Sequence, residues 1–244
     1  MTAVIEVKDL VIEYRSRRKT IRAVDGVSFA VRAGECVGFI GPNGAGKSST
    51  IKAMMGFIFA ASGAIRIFDL AAGSVESKRR IGYLPEVTLY YPFLKGVELL
   101  RLYGGLHGVP AAVLKERIPA LLGSVGLDDA GDRLIRGYSK GMQQRLGIAQ
   151  ALISEPECLI FDELSSGLDP VGRHDLRRVL LDLKARGATI FFSSHELYEV
   201  EALCDRVVAI HDGRLLFDLP LDELRARAGS DGLENYFMAQ VRKA

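Results

Sequence analysis

The sequence predicts an α/β fold in which a mainly parallel sheet is joined by an N-terminal antiparallel β part and an inserted α-helical subdomain. Short β-rich segments with turn signals between them fill much of the first 40 residues. Strand-like and helical segments alternate after residue 155, which is typical of a parallel sheet with helices against its faces. Between these parts, from residue 93 to about residue 154, only helical periodicity is evident.

The N-terminal third is expected to contain five strands and one helix. Strand patterns occupy residues 4–8, 27–31, 36–40, 64–68 and 81–84, and apolar residues at helical spacing occupy 47–58. The apolar run at 36–40 is typical of a strand that is covered on both faces. Asp25-Gly26 and Ala33-Gly34 indicate turns.

The rest of the chain is predicted to be helical first and mixed afterwards. Helical patterns begin at Leu94 and cover residues 111–125 and 138–153, and Pro119 should kink or divide the second of these helices. Strand patterns follow at 158–161, 189–193, 206–210 and 214–217, with a helix at 172–186. Asp212-Gly213 joins the last two strands as a hairpin. The last 25 residues are polar and helical at most.

These patterns divide the chain into three parts. The core is discontinuous and covers residues 1–86 and 155–220, and the helical subdomain covers residues 87–154. A short C-terminal tail covers residues 221–244.

Composition excludes several classes of protein. With 244 residues, 48% hydrophobic and 25% charged, the chain is an ordinary globular protein rather than a disordered, collagenous or small disulfide-rich one. The net charge of +2 argues against a dedicated nucleic-acid binder. The three cysteines form no CxxC pair, so neither a zinc site nor a disulfide framework is indicated. No apolar run approaches the roughly 18 residues of a membrane span, so we expect a soluble, cytosolic protein.

A glycine-rich loop between a buried strand and a helix is the strongest functional signal. It reads Gly41, Pro42, Asn43, Gly44, Ala45, Gly46, Lys47, Ser48 and fits G-x-x-x-x-G-K-[ST], with Ser49 extending the predicted binding segment. Its glycines let backbone N–H groups turn toward phosphate oxygens, and the following helix N-terminus favours negative charge. We therefore predict that Lys47 binds the β- and γ-phosphates of a nucleotide and that Ser48 binds Mg²⁺.

Two acids end the apolar strand at 158–161. With a phosphate loop present, Asp162 becomes the natural second ligand for Mg²⁺. Glu163 points elsewhere and could polarise a water as a general base.

Four further segments resemble the motifs of one family. The run Tyr138–Leu146 is similar to the signature motif of ABC transporter ATP-binding subunits, and residues 165–170 resemble their D-loop. Ser193-Ser194-His195 resembles their switch histidine, and Tyr14 resembles their adenine-stacking aromatic, although a strand-edge tyrosine remains the alternative. The order and spacing match over nearly the whole chain, and the resemblance implies a RecA-like P-loop NTPase core.

The sequence departs from the family pattern at a few positions. Lys140, Met142 and Leu164 replace the usual glycine, glutamine and proline, and Glu86 stands where a Q-loop glutamine is usual. These variants resemble the branch of bacterial exporters that move drugs, lipids or polysaccharides.

The resemblance implies an ATPase that drives a membrane permease and favours export as the direction of transport, while no residue identifies the cargo. Two copies would hold two ATP molecules head to tail, so that Ser139, Gly141 and Asp169 act with the motifs of the opposite copy. Glu163 and His195 would be catalytic, and Glu86 would lie at the nucleotide and its Mg²⁺. A homodimer is the simplest assembly, and a heterodimer is the alternative. The implied location is the cytoplasmic side of the cell membrane.

Two other functions compete with this interpretation. A soluble ABC-type ATPase acting on DNA or ribosomes would carry long coiled coils or two ATPase halves in one chain, and neither is present in this sequence. An unrelated P-loop kinase or GTPase would not explain Tyr138–Leu146.

An aromatic segment follows Glu86. Tyr90, Tyr91 and Phe93 lie within eight residues that Pro92 interrupts, and they are not all expected to be buried in one short loop. We expect them to face a membrane partner, since aromatic residues are enriched where proteins dock. The alternative is that they pack the helical subdomain onto the sheet.

Overall fold

The computed structural model describes residues 3–15, 19–165 and 168–243. The strands in chain order are β1 (Ala3–Arg15), β2 (Thr20–Arg32), β3 (Cys36–Ile40), β4 (Ser62–Ile67), β5 (Leu70–Ala71), β6 (Ile81–Leu84), β7 (Cys158–Phe161), β8 (Thr189–Ser194), β9 (Arg206–His211) and β10 (Arg214–Pro220). The helices are α1 (Lys47–Met54), α2 (Val75–Arg79), α3 (Gly96–Leu106), α4 (Ala111–Ser124), α5 (Lys140–Leu152), α6 (Pro170–Ala185), α7 (Leu197–Leu203), α8 (Leu221–Ala228) and α9 (Gly232–Val241).

The strands form two sheets. The larger has the order β10-β9-β3-β8-β7-β6, and its neighbours are parallel except for the β9–β10 hairpin. The smaller is antiparallel, with the order β2-β1-β4-β5. Every residue of β3, β7 and β8 is buried, as expected for central strands covered on both faces. The predicted α/β fold is confirmed.

The N-terminal strand pair is longer than the sequence patterns indicate. β1 and β2 each extend over 13 residues, and the predicted turn at Asp25-Gly26 is wrong. Val11 pairs with Asp25 while Leu10 pairs with Val27, so Gly26 is an extra residue within β2. Its φ of +73° suits glycine. A β-bulge and a turn share this residue preference, which explains the error.

Helix α4 continues through Pro119, so the expected division of this helix is wrong. Pro119 and Lys115, whose carbonyl loses its helical donor, are both exposed, so water can replace the missing hydrogen bond. On the opposite face, buried Leu114, Ile118 and Leu122 hold the helix against its neighbours. Packing therefore outweighs the local penalty of the proline.

The C-terminal segment packs against the core, although its sequence is mostly polar. It forms α8 and α9, and Leu221, Leu224 and Leu233 are buried in the same core as the large sheet. The Tyr236 ring lies edge-on to Phe217 of β10 at 5.8 Å. This segment therefore covers the β9–β10 end of the sheet.

The three cysteines are buried and unpaired, as the sequence indicates. Burial raises the pKa of the Cys158 thiol to about 12. A thiol in such surroundings is inert, so these residues fill space in the core.

A cluster of three aromatic rings joins the two sheets. Phe29 comes from β2, Phe39 from β3 and Phe191 from β8, with ring centroids 5.4–5.6 Å apart. Phe39 and Phe191 have no exposed surface. The cluster fixes the antiparallel sheet against the strands that lead to the candidate site.

Phe191→Ala should lower the free energy of unfolding by about 3–5 kcal/mol, since it removes a large ring from a closed core. Chemical denaturation followed by circular dichroism measures the change. Phe59→Ala is the matched control, because Phe59 is 93% exposed and its loss should cost less than about 0.5 kcal/mol. Equal effects of the two substitutions would contradict the role of the ring cluster.

Candidate functional site

The site lies where the parallel strands end. The glycine-rich loop follows β3, Asp162 and Glu163 follow β7, and His195 follows β8, so all three segments meet at the carboxyl edge of the sheet. A cavity of about 390 Å³ opens there. Its lining residues are Asn43, Gly44, Gly46, Lys47, Ser48, Ser49, Glu86, Glu163 and His195.

The glycines of the loop are required by close backbone contacts. A Cβ on Gly46 would lie 2.4 Å from the carbonyl oxygen of Ala23 in β2, and the φ of Gly46 is +106°. A Cβ on Gly41 would lie 2.4 Å from the carbonyl oxygen of Ile210 in β9. The chain can thus turn tightly into α1, whose first-turn N–H groups have no acceptor within the helix and suit an anion.

Lys47 is buried at the centre of the site. Its Nζ donates hydrogen bonds to the carbonyl oxygens of Gly41 (2.7 Å) and Pro42 (3.2 Å) and lies 3.0 Å from Oε1 of Glu163. These contacts fix the ammonium group within the loop, in reach of the cavity that Lys47 lines.

The side-chain oxygens of Ser48 and Asp162 lie next to each other beside the cavity. The Ser48 hydroxyl donates to Oδ1 of Asp162 at 3.0 Å, and the Ser193 hydroxyl donates to the same oxygen at 2.8 Å. Burial raises the pKa of Asp162, and the nearby charge of Glu163 raises it further, whereas the two serine hydrogen bonds lower it.

The pair fits Mg²⁺ by its chemistry. No group of three or more His, Cys, Asp or Glu side chains in the described part of the chain could hold a metal by itself. Mg²⁺, however, is commonly bound through one or two protein oxygens together with substrate phosphates and waters. A hydroxyl and a carboxylate beside a phosphate loop meet this requirement.

Glu163 connects the loop to the end of β8. Its Oε2 lies 2.6 Å from Nδ1 of His195, and its Oε1 faces Lys47. The residue has a φ of +50°, a conformation that costs a non-glycine residue about 1–3 kcal/mol and persists only where the surroundings impose it. Such strain is concentrated at functional sites.

Tyr14 and Glu86 lie at the margin of the cavity. The Tyr14 hydroxyl is 3.1 Å from Oγ of Ser49, and the ring is 43% exposed on β1, where a flat ligand could stack on it. Glu86 follows β6, is exposed, and lines the cavity from the side of the helical subdomain.

Three predicted site residues lie at the N-termini of α5 and α6 and do not line this cavity. Ser139 is the N-cap of α5 and accepts a hydrogen bond from the Met142 N–H, and Gly141 lies in the first turn of that helix. Asp169 is the N-cap of α6 and accepts from the Gly172 N–H at 2.8 Å. Ser166 and Gly167, which belong to the segment similar to a D-loop, lie outside the described residues.

Three residues that contact this region have no role predicted from the sequence. The Ser193 hydroxyl accepts from the Glu163 N–H at 2.9 Å, and a polar residue at the end of an apolar strand could have signalled it. Gln144 lies within Tyr138–Leu146, and its Nε2 donates to the Leu164 carbonyl at 2.6 Å. The sequence does not indicate that Glu199 belongs to the site, because an acid on a short helix is usually solvated.

The family of the chain follows from comparison with known proteins. The ABC transporter family model matches residues 24–166, which is more than half of the chain. The chain belongs to the ABC transporter family of ATP-binding proteins. It is therefore an ABC-type ATPase whose nucleotide is ATP.

Individual relatives agree with this assignment. An ABC transporter ATP-binding protein of Nostoc sp. is 44% identical over 227 residues, which is 91% of this chain and 68% of that protein. The fluoroquinolones export ATP-binding protein of Mycobacterium tuberculosis is 39% identical over 230 residues, 93% of this chain and 74% of that protein. A solved ATP-binding subunit of an ABC transporter is 34% identical with a TM-score of 0.85, covering 97% of this chain and 99% of that one.

No helix among the described residues of this ABC protein is long and apolar enough to cross a bilayer.

Lys47→Ala should weaken ATP binding by about 10- to 150-fold, because each hydrogen bond to a charged group contributes about 1.5–3 kcal/mol. Titration calorimetry measures the affinity. Lys52→Ala, an exposed lysine on the same helix, is the matched control and should bind ATP normally. An unchanged affinity in the Lys47 variant would remove this residue from the phosphate site.

Proposed function

We propose that this protein hydrolyses ATP between two copies of the chain and thereby drives export through a membrane permease. The observation that supports this best is the position of Glu163, whose carboxylate lies between Lys47 and His195 and beside the Ser48–Asp162 pair. A base, a phosphate-binding cation and a pair of Mg²⁺ ligands would thus meet at or beside one cavity, as phosphoryl transfer to water requires.

The substrate would bind along the loop. Lys47 and the first-turn N–H groups of α1 would hold the β- and γ-phosphates, and Tyr14 would stack on the adenine. Mg²⁺, held by Ser48 and Asp162 and within reach of Glu86, would neutralise charge on the phosphate oxygens.

Hydrolysis needs one proton transfer from the attacking water. Glu163 would accept this proton while the water oxygen bonds to the γ-phosphorus and the bond to the β–γ bridging oxygen breaks, which gives ADP and phosphate. His195 would fix the carboxylate through its 2.6 Å contact and face the γ-phosphate from the end of β8.

A second copy would complete the site. Ser139 and Gly141 lie at the N-terminus of α5 and do not line the cavity of their own chain. They would therefore contact the γ-phosphate that the opposite copy binds. Asp169 would lie at the same junction. Because one chain carries both halves of the site, a homodimer is the simplest assembly, and a heterodimer remains the alternative.

The segment after Glu86 supports a permease as the partner. Tyr90 is partly buried and packs against the core, so the expectation that it faces a partner is wrong. Tyr91 and Phe93 are 53% and 69% exposed, and Val87 and Leu89 beside them are exposed as well. Such an apolar surface beside the cavity suits a membrane subunit better than DNA or a ribosome. The protein would then lie on the cytoplasmic face of the membrane.

Export is the direction that the relatives favour. The Mycobacterium tuberculosis relative is named for fluoroquinolone export, and the departures at Lys140, Leu164 and Glu86 resemble the exporter branch.

Glu163→Gln should keep ATP affinity but slow hydrolysis by roughly 10²–10⁴-fold, the usual contribution of a general base. The variant should also accumulate as an ATP-bound dimer, which size-exclusion chromatography with ATP and Mg²⁺ detects. Glu116→Gln, on the exposed face of α4, is the control and should hydrolyse ATP normally. Normal turnover of the Glu163 variant would contradict its role as base, and a monomer would contradict the shared site.

Replacing Tyr91 and Phe93 together with alanine should leave ATP binding and Tm unchanged but weaken capture of the protein by its permease. Affinity purification with a tagged permease subunit measures capture. Leu106→Ala removes an exposed apolar side chain elsewhere and controls for non-specific binding. Tyr90→Ala should instead lower Tm, because Tyr90 packs on the core. Normal capture of the double variant would place the permease contact elsewhere.

A further inference from the structure

The strained Glu163 is held by contacts from three different elements. Its N–H donates to the Ser193 hydroxyl at the end of β8. The next residue, Leu164, accepts a hydrogen bond from Gln144 of α5 through its carbonyl. The residue after that, Ser165, donates from its hydroxyl to Oε2 of Glu199 at 2.6 Å. The surrounding structure thus fixes the whole turn that presents Glu163.

Glu199 reaches two segments with a single oxygen. Its Oε2 also lies 3.3 Å from the Ser194 hydroxyl, which it accepts as a second donor. Ser165 follows Glu163 by two residues, and Ser194 directly precedes His195. The carboxyl group therefore links the turn that carries the base to the strand end that carries the histidine.

The setting of Glu199 is unusual for an acid. The residue is only 8% exposed, although it lies on the short helix α7, and burial raises the pKa of its carboxyl group. A buried acid is costly unless its oxygens accept hydrogen bonds, and the two hydroxyls provide them. The two hydrogen bonds therefore account for an acid at this buried position.

We propose that Glu199 is a positioning residue for ATP hydrolysis, whose Oε2 holds the Ser165 turn and the Ser194 strand end so that Glu163 and His195 keep their mutual geometry. The inference rests on the proposed roles of Glu163 and His195. It assigns Glu199 an effect on turnover and none on nucleotide binding, since the hydrogen bonds of Lys47 to the loop carbonyls lie outside this link.

Glu199→Ala should lower kcat about 10- to 100-fold, the scale expected when a catalytic group is displaced by about 1 Å. The KM and the calorimetric affinity for ATP should stay within about twofold, because the phosphate-binding contacts remain. Glu199→Gln should restore kcat to within about twofold of the parent protein, since its amide oxygen can accept both hydroxyls. Glu201→Ala, on the same helix, is the matched control and should turn over normally.

A double-mutant comparison tests the route of the effect. Ser165→Ala alone should reduce kcat, and adding it to Glu199→Ala should cause little further loss, because both remove the same link. Thermal unfolding of each variant accompanies the kinetics, so that a loss of fold is recognised. Should Glu199→Ala prove unstable, the Glu199→Gln and Ser165→Ala variants still give the comparison of kcat with KM.

Three results would overturn the proposal. They are a normal kcat in Glu199→Ala, a parallel loss of ATP affinity and kcat that Glu199→Gln does not restore, and full additivity with Ser165→Ala. Each is distinguishable from failure of the proposed function, because Glu163→Gln is measured alongside. If Glu163→Gln is inactive while Glu199→Ala is normal, only the positioning role fails.

Discussion

The parallel register of the central strands is the constraint on which the site depends. Ile40 of β3 pairs with Ser194 of β8, and Phe161 of β7 pairs with Phe192 of β8. The chain consequently leaves all three strands at one edge, and the residues that follow each strand become neighbours. A shift of one residue in any of these strands would turn its buried side chains to the other face, and the closed packing on both faces prevents this. The geometry of Lys47, Glu163 and His195 is therefore set by the core.

Polar groups at this edge satisfy one another. Lys47 pairs with Glu163 and two carbonyl oxygens, and Asp162 accepts two serine hydroxyls. Burying a polar or charged group costs free energy unless the group has a hydrogen-bond or ion-pair partner. Removing one member of this network would therefore leave its partners buried and unpaired.

Local patterns made much of the fold and of the site predictable. The strand–loop–helix motif at residues 36–54 placed Lys47 and Ser48 correctly on α1, and the apolar run before Asp162 identified β7. Features that depend on distant contacts were not predictable. The packing of Leu221 and Leu233 onto the sheet is one of them. The bulge at Gly26 is another, since a turn favours the same residue.

The polar contacts around Glu163 show the same limit. Glu199 meets Ser165, 34 residues earlier in the chain, and Gln144 meets Leu164 from a different helix. No spacing rule relates such pairs, because their proximity arises from the way in which whole elements pack. The family signature drew attention to the neighbourhood of Gln144 but assigned its side chain no partner.

The close approach of Gly46 to Ala23 couples the phosphate loop to the antiparallel sheet. Ala45 accepts a hydrogen bond from the Gly213 N–H, and the Gly213 carbonyl accepts one from the Asp25 N–H, so the loop, the β9–β10 turn and β2 are joined in series. Binding free energies are reciprocal, so if bound phosphate orders the loop and β2 together, an ordered β2 would raise the affinity for phosphate by the same factor. Changes on the far side of the small sheet, remote from the nucleotide, would then alter nucleotide occupancy through this series of contacts.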